Sequence, residues 1–290
     1  MIFGKGCAPD PVHKRTQRSS RLLLAAPTQI VAEASLERFE EPILDQGGYP
    51  SCGGHGTSQG IYQALAMQAS PPKLVSPNYI YKTTRVVMRT EALVAGNGLP
   101  LLSTIQGVIP SSIMTALQIN GIVPMGPFTE NRISDCGATD IDTEENLSDL
   151  EEGATKLLTG EFRVDETAND FVDQVAASLA QGFGLGIGVF VDSTFENWGV
   201  GWMPGRVPVS SVNLADPKGG GHWLNLNAVK YDRNLGKYVF SGPNSWSENW
   251  GAPALVDNSG PNNVGGHFRV TEDWMRQAVS DCYVWKVSIL

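Results

Sequence analysis

A glycine-rich stretch that begins at Cys52 limits the folds open to this chain more than any other feature. Residues 52–69 are compatible with a helix, and Ile61 and Leu65, with small apolar neighbours, have the spacing of a mostly buried one. The same stretch carries glycine at positions 53, 54, 56 and 60, and each glycine costs a helix roughly 1 kcal/mol relative to alanine. Tertiary packing must therefore hold this helix, and its small residues would let another part of the protein approach closely.

Cys52 stands at the junction between a turn-rich run, QGGYPSC, and this helix. At a helix N-terminus the unpaired backbone N–H groups and the helix dipole favour the thiolate, which is the nucleophilic form of cysteine. Gln46 is placed to offer a side-chain amide to an oxyanion beside the same sulfur. A lone cysteine is by default a small buried apolar residue, so covalent catalysis by Cys52 requires a base elsewhere in the chain.

A histidine and an asparagine further along the chain meet that requirement. His222 follows three glycines in GGGHWLNL and opens an apolar stretch of strand character. Asn244 lies in NSWSENWG, after a second strand pattern. Histidine suits a general base because its pKa lies near neutrality, and an asparagine can hold the imidazole in one tautomer. Cys52, His222 and Asn244 are therefore predicted to act as nucleophile, base and orienter, with Trp246 shielding the His222–Asn244 pair from solvent.

The segments QGGYPSC, GGGHWLNL and NSWSENWG resemble, in the same order, the active-site motifs of the papain-like cysteine peptidases. LVSPNYIY, IMTALQINGIVP and GHFRV resemble other parts of that family, so that the similarity covers roughly residues 41 to 290. The resemblance implies a papain-like α+β fold with a helical lobe that bears Cys52 and a β-rich lobe of antiparallel strands. It also implies hydrolysis of peptide bonds in a polypeptide that lies extended between the lobes. The residues that it assigns to catalysis are Cys52, His222, Asn244 and Gln46, and those that it assigns to substrate binding are Gly220, Gly221 and Trp246.

The chain divides into four segments. Residues 1–40 form an N-terminal arm, extended around Pro9-Asp10-Pro11 and much too short for the long inhibitory propeptide of the lysosomal enzymes, and the simplest expectation is that it packs along one lobe. The helical lobe spans about 41–128 and the β-rich lobe about 166–290. Residues 129–165 are a polar, acidic excursion that we interpret as solvated. Helices are predicted at 111–120 and 170–181, and strands near 185–191, 222–231, 236–241, 265–270 and 282–289.

Composition and charge argue against several classes of function. The net charge of −9 argues against nucleic-acid binding, because phosphate contacts need a basic surface. No apolar run approaches the roughly 18–20 residues that span a bilayer, and no convincing signal peptide occurs, so we expect cytoplasmic synthesis and no membrane partner. The four cysteines are few and scattered, which indicates reduced thiols. No metal-ligand spacing or phosphate-binding loop is found, so no cofactor or metal is expected.

Some residues fit more than one interpretation. His55 lies one helical turn after Cys52, and we expect a hydrogen-bonding role for it rather than catalysis. Gly53 beside the thiol and Ser247 after Asn-Ser-Trp depart from the family's motifs, which leaves substrate preference open. Two alternatives to a peptidase remain. One is a catalytically idle module that binds partners or assembles into a larger particle, and the other is a cell-wall peptide amidase that uses the same triad.

Overall fold

A computed structural model of the chain describes residues 5–11, 20–21, 30–68, 74–96, 107–123, 125, 157–257 and 264–289. Over these ranges the α-helices are α1 (Cys52–Ala66), α2 (Pro77–Val94), α3 (Pro110–Asn120), α4 (Phe171–Ala180), α5 (Ser193–Gly199) and α6 (Glu272–Ala278). A short 3₁₀ turn spans Glu37–Phe39. No described helix is long and apolar enough to cross a membrane.

The described strands form two sheets. The first contains, in spatial order, β1 (Ser20–Arg21), β3 (Leu157–Arg163), β9 (Val279–Ile289), β4 (Leu185–Val191) and β5 (Gly220–Leu226). The second contains β2 (Glu33–Ser35), β6 (Ala228–Asp232), β7 (Lys237–Pro243) and β8 (His267–Thr271). The strand pairs within these sheets are antiparallel except for β1 with β3. Early helices and late antiparallel strands make an α+β fold, as predicted.

Helix α1 is held by the close approach of the first sheet, which is the role that its glycines suggest. A Cβ at Gly56 would lie 2.9 Å from Trp223 on β5, and a Cβ at Gly60 would overlap the indole of Trp285 on β9. Both indoles are buried. Because burial of a large apolar side chain contributes about 1.5–3 kcal/mol, these contacts offset the low helix propensity of the glycines.

The interior of the protein contains two hydrophobic clusters. One joins α1, α2 and α3 to β5 and β9 and includes Ile61, Ile113 and Trp223. The other fills the space between the two sheets and includes Phe240 and Trp274. Cys52 belongs to the first cluster, so the thiol lies where α1 meets the β-rich lobe.

The boundaries predicted from sequence hold to within a few residues for most elements. The two sheets, however, include strands from before the predicted start of the β-rich lobe at 166. Within the predicted arm 1–40, Ser20–Arg21 pairs with β3 and Glu33–Ser35 pairs with β6. Leu157–Arg163 pairs antiparallel with β9. This strand falls inside the segment 129–165 that the sequence suggested was a solvated excursion. The rest of that segment, 129–156, lies outside the described residues. Helix α2 was not predicted as a helix, although the Ser76-Pro77 pair that starts it is a standard helix-opening signal.

Candidate active site

Cys52 is the first residue of α1, and its side chain is fully buried. Burial raises the pKa of the Cys52 thiol to about 11, and backbone hydrogen bonds with Trp223, Gly6 and Gly53 act in the opposite direction. The helix N-terminus alone was expected to favour the thiolate. Here desolvation of the charged form outweighs that effect, so the group is a neutral thiol at neutral pH.

His222 lies on β5 with Asn244 beside it, and both are fully buried. The distance from His222 Nε2 to Asn244 Oδ1 is 2.8 Å. The same Oδ1 accepts a hydrogen bond from the backbone N–H of Ser245 at 2.8 Å, which identifies the atom as the amide oxygen. An amide oxygen can only accept, so Nε2 carries the ring proton and Nδ1 is the basic nitrogen. Nδ1 is buried and has no hydrogen-bond partner among the residues that the structure describes.

The imidazole of His222 is neutral in this environment. Burial lowers the pKa of His222 to about 4, although the hydrogen bond with Asn244 acts to raise it. Trp246 stacks on the ring, with 4.6 Å between centroids and 25° between planes. Trp246 is itself buried and meets Trp250 edge-on, so the aromatic cluster sets the orientation of His222 and excludes water from one of its faces.

Gln46 connects the loop before Cys52 with the loop that carries Asn244. Its Nε2 donates to the Tyr49 carbonyl at 2.7 Å, its Oε1 accepts from the Ser245 hydroxyl, and its backbone N–H donates to the Ser245 carbonyl at 2.9 Å. The two loops also meet through a bridge between Asp45 and Trp246. The structure thus brings the three separated motifs together. The backbone of Trp223, the residue after His222, lies close enough to the Cys52 sulfur to act to lower the pKa of that thiol.

The N-terminal arm runs between the two lobes at this point. The backbone N–H groups of Gly6 and Cys7 donate to the Gly221 carbonyl at 3.0 and 3.1 Å. On the other side Val108 N–H donates to the Gly6 carbonyl at 2.6 Å, and Ala8 N–H donates to the Val108 carbonyl at 3.0 Å. We call the space between Gly221 and Val108 the cleft. The described arm residues therefore contact both lobes rather than packing along one, and they cover Cys52.

Glycines make this close approach possible on three sides. A Cβ at Gly221 would overlap the Cys7 carbonyl, and a Cβ at Gly6 would overlap Pro50. Gly107 has a φ of +77° and faces the Gly6 backbone directly. Gly220 and Gly221, which the sequence assigned to substrate binding, thus contact a peptide segment that belongs to the chain itself.

Asp10 anchors the arm beyond the cleft. Its carboxylate, 2% exposed, accepts hydrogen bonds from the Tyr283 hydroxyl at 2.6 Å and from the backbone N–H of Ser111 at 2.9 Å. Its own backbone N–H donates to Asp281, whose carboxylate is paired with Arg163 at 3.1 Å. Sequence reasoning did not find this anchor. The signal present was Pro9-Asp10-Pro11, in which an acidic side chain stands on an extended backbone.

The other described histidines have structural partners. His55 Nδ1 lies 3.0 Å from the Ser51 carbonyl, and burial lowers the pKa of His55 to about 4, in agreement with the hydrogen-bonding role expected for it. His267 Nε2 lies 2.9 Å from a carboxylate oxygen of buried Glu40. Among the described residues no three His, Cys, Asp or Glu side chains are grouped as a metal site. The described cysteines, Cys7, Cys52 and Cys282, are free and buried, and Cys136 lies outside the described residues.

Comparison with known proteins places the fold. No family model matches the sequence, and no match was found among curated proteins. Xylellain, a cysteine protease from Xylella fastidiosa, superimposes with a TM-score of 0.60 at 18% identity, over 98% of this chain and 96% of that one. Procathepsin B S9 from Trypanosoma congolense gives 0.59 at 11% identity, over 100% and 87%. Digestive procathepsin L 3 from Tenebrio molitor gives 0.55 at 14%, over 92% and 75%. The chain therefore has the fold of the papain-like cysteine proteases.

Proposed function

We propose that the protein is a thiol peptidase in which Cys52 is the nucleophile and His222 the general base. The observation that carries the proposal is the hydrogen bond from His222 Nε2 to Asn244, which leaves Nδ1 basic and, within the described part of the chain, unpartnered in a buried site. The backbone of the next residue, Trp223, lies close enough to the Cys52 sulfur to act on the pKa of that thiol. A base held in one tautomer beside a buried thiol is the arrangement that covalent acyl transfer requires.

The reaction follows from these positions. His222 Nδ1 takes the proton of the Cys52 thiol, and the sulfur forms a bond to the carbonyl carbon of the peptide. The backbone N–H of Cys52 and the side-chain amide of Gln46 stabilise the oxyanion of the tetrahedral intermediate. His222 then returns the proton to the leaving amine as the C–N bond breaks. Water, deprotonated by His222, attacks the thioester and releases the carboxylic acid and the Cys52 thiol.

The arm adds a step before this chemistry. Because Gly6 and Cys7 lie over Cys52, a substrate can reach the sulfur only when the arm has left the cleft. Displacement readmits water to the thiol and reduces the desolvation that raises its pKa. The open state is therefore the reactive one, and the covered state is a peptidase with a neutral nucleophile.

Cleavage mapping of a peptide library by mass spectrometry tests the proposal. The wild-type chain should cleave peptides and react with an epoxide thiol probe of the E-64 type at Cys52. Cys52→Ala should lose both properties together, whereas Cys136→Ala, the same replacement at another cysteine, should keep both. Peptide cleavage at the wild-type rate by Cys52→Ala would rule the mechanism out.

One observation favours a second candidate, the idle module with a binding or assembly role. The arm covers the thiol completely and burial keeps it neutral, which also suits a chain that never turns over substrate. Failure of the epoxide probe to label Cys52, even after the arm is loosened, would favour this candidate. Digestion of casein beside peptidoglycan distinguishes a protein-cleaving enzyme from a cell-wall peptide amidase.

A further inference from the structure

Lys5 shows how the cleft binds a basic side chain. Its ammonium group donates to the Lys218 carbonyl and forms an ion pair with Glu196. The side chains of Lys5 and Glu196 are only 15% and 20% exposed, so the pair is largely shielded from water. Lys5 precedes Gly6, whose backbone lies close enough to the Cys52 sulfur to act on the pKa of that thiol. Lys5 is thus adjacent in sequence to the arm residue that lies beside Cys52.

The groups that receive the ammonium are held in place by the fold. Glu196 lies on α5, where its backbone carbonyl accepts a hydrogen bond from the Trp250 indole at 3.0 Å. Asp216 accepts from the backbone N–H of Ser193, the first residue of α5, at 2.8 Å and from the backbone N–H of Lys218 at 2.9 Å. One carboxylate therefore ties the helix that carries Glu196 to the turn that presents the Lys218 carbonyl. Asp216 is a positioning residue for both groups.

Shape and charge select the same kind of side chain. A Cβ at Gly220 would lie 3.1 Å from Cδ of Lys5, so the absence of a side chain at Gly220 leaves room for a long aliphatic stem. Lys5 also interacts electrostatically with Asp216 and with His222. The pocket therefore combines a narrow path for methylene groups with a carboxylate and a carbonyl at its end.

We propose that Glu196, the Lys218 carbonyl and Gly220 form a substrate subsite that takes a lysine or arginine side chain beside the scissile bond. The inference rests on the proposed peptidase function, because a substrate uses the subsite only after it has displaced the arm. Lys5 is the occupant in the covered state. A charged donor matches the two acceptors, whereas an apolar side chain of equal length would leave Glu196 desolvated without a cation.

Kinetics on matched peptides test the subsite in the full-length protein. The peptides carry lysine, arginine, norleucine or glutamate at one of the two positions that flank the cleaved bond and are otherwise identical. At one of these two positions, kcat/KM should be about tenfold higher for lysine and arginine than for norleucine and glutamate. Glu196→Gln should bring the ratio of kcat/KM for the lysine peptide to kcat/KM for the norleucine peptide down to about one. The ratio is the readout, because the same change removes the ion pair with Lys5 and so alters the open population equally for every peptide. Glu33→Gln, the same change at a surface ion pair with Lys230, should keep the preference. Absence of a basic preference, or its survival in Glu196→Gln, would overturn the proposal.

A binding measurement separates failure of the subsite from failure of the peptidase function. Fluorescence anisotropy with labelled lysine and norleucine peptides is measured on Cys52→Ala and on Cys52→Ala with Glu196→Gln. If Cys52→Ala binds the lysine peptide more tightly than the norleucine peptide, and if Glu196→Gln removes this difference, the result supports the subsite even when the wild-type chain cleaves no peptide. Equal binding of the two peptides to Cys52→Ala contradicts the subsite, whatever the outcome of the cleavage assays.

Discussion

Replacement of Asp10 by alanine should open the cleft and expose Cys52. Within the described part of the chain, the Asp10 carboxylate accepts hydrogen bonds from the Tyr283 hydroxyl at 2.6 Å and from the Ser111 backbone N–H at 2.9 Å. Both bonds exist only while the arm is seated. Asp10→Ala removes them from the covered state and costs the open state nothing, because there all three groups are solvated. The equilibrium therefore shifts towards the open state.

The size of the shift can be worked out from these contacts. A hydrogen bond to a charged acceptor contributes about 1.5–3 kcal/mol, so the two bonds together contribute about 3–6 kcal/mol. Two effects reduce the stability that the covered state loses in Asp10→Ala. Repulsion between Asp10 and the neighbouring Asp281 is relieved, and water enters the vacated space. We therefore take the lower figure of about 3 kcal/mol. At about 1.4 kcal/mol for each factor of ten, the open population rises about a hundredfold.

The assay is the second-order rate of alkylation of Cys52 by iodoacetamide. Peptide mass spectrometry separates Cys52 from the three other cysteines. If the arm opens and closes faster than the reagent reacts, the rate follows the open population and should rise about a hundredfold in Asp10→Ala. Tyr283→Phe, which keeps the ring and removes one bond, should raise it about tenfold. Asp165→Ala, at an exposed carboxylate far along the chain, should leave it unchanged. An unchanged rate in a folded Asp10→Ala protein would refute the assignment of Asp10 as the anchor.

Two other predictions concern pH. The pKa of Cys52 is raised to about 11 in the covered state. The rate of Cys52 alkylation should therefore increase about tenfold for each pH unit between pH 7 and pH 10. A rate that becomes constant from about pH 8 in the wild-type chain would show that the thiol is not desolvated as described. Burial alone would lower the pKa of His267, but the Glu40 carboxylate outweighs it and the pKa is raised. The stabilisation by this pair is therefore fully present below the unfolded pKa of about 6.5 and is lost as the pH rises through the higher folded value. In urea denaturation, His267→Ala should lower the free energy of unfolding by about 3–5 kcal/mol at pH 6 and by less at pH 10. An equal loss at both pH values would contradict the assignment of a charged pair between His267 and Glu40.

Much of the site could be predicted from the chain because its parts lie in short, locally specified motifs. Cys52 opens a helix since turn residues precede it, and Asn244 follows a strand that ends at Gly242-Pro243. Neighbouring residues determine these local structures, so they can be predicted from the sequence without knowledge of the fold. The protonation states of Cys52 and His222 could not be predicted from the sequence, because the desolvation that sets their pKa values comes from residues remote in sequence.

Details that depend on one backbone angle or one distant contact also needed the structure. Ser247, which replaces a glycine of the family's motif, adopts a φ of +69°, the left-handed region in which a side chain costs about 1–2 kcal/mol. The sequence shows that a glycine is missing there and cannot show whether the backbone stays left-handed. The strand Leu157–Arg163 was likewise hidden, because its pairing with β9 joins residues that are more than a hundred positions apart.

By itself the sequence determined the α+β fold class and the glycine-rich helix that must be packed from outside, and it predicted a nucleophile, a base and an orienter. These follow from local propensity and motif spacing. Only the tertiary structure decided that the N-terminal arm lies across Cys52, that Asp10 anchors it, and that Lys5 reaches Glu196. The contacts of Asp10 and Lys5 join residues about 100 to 270 positions apart, and no local pattern encodes which distant surfaces a short polar arm will meet.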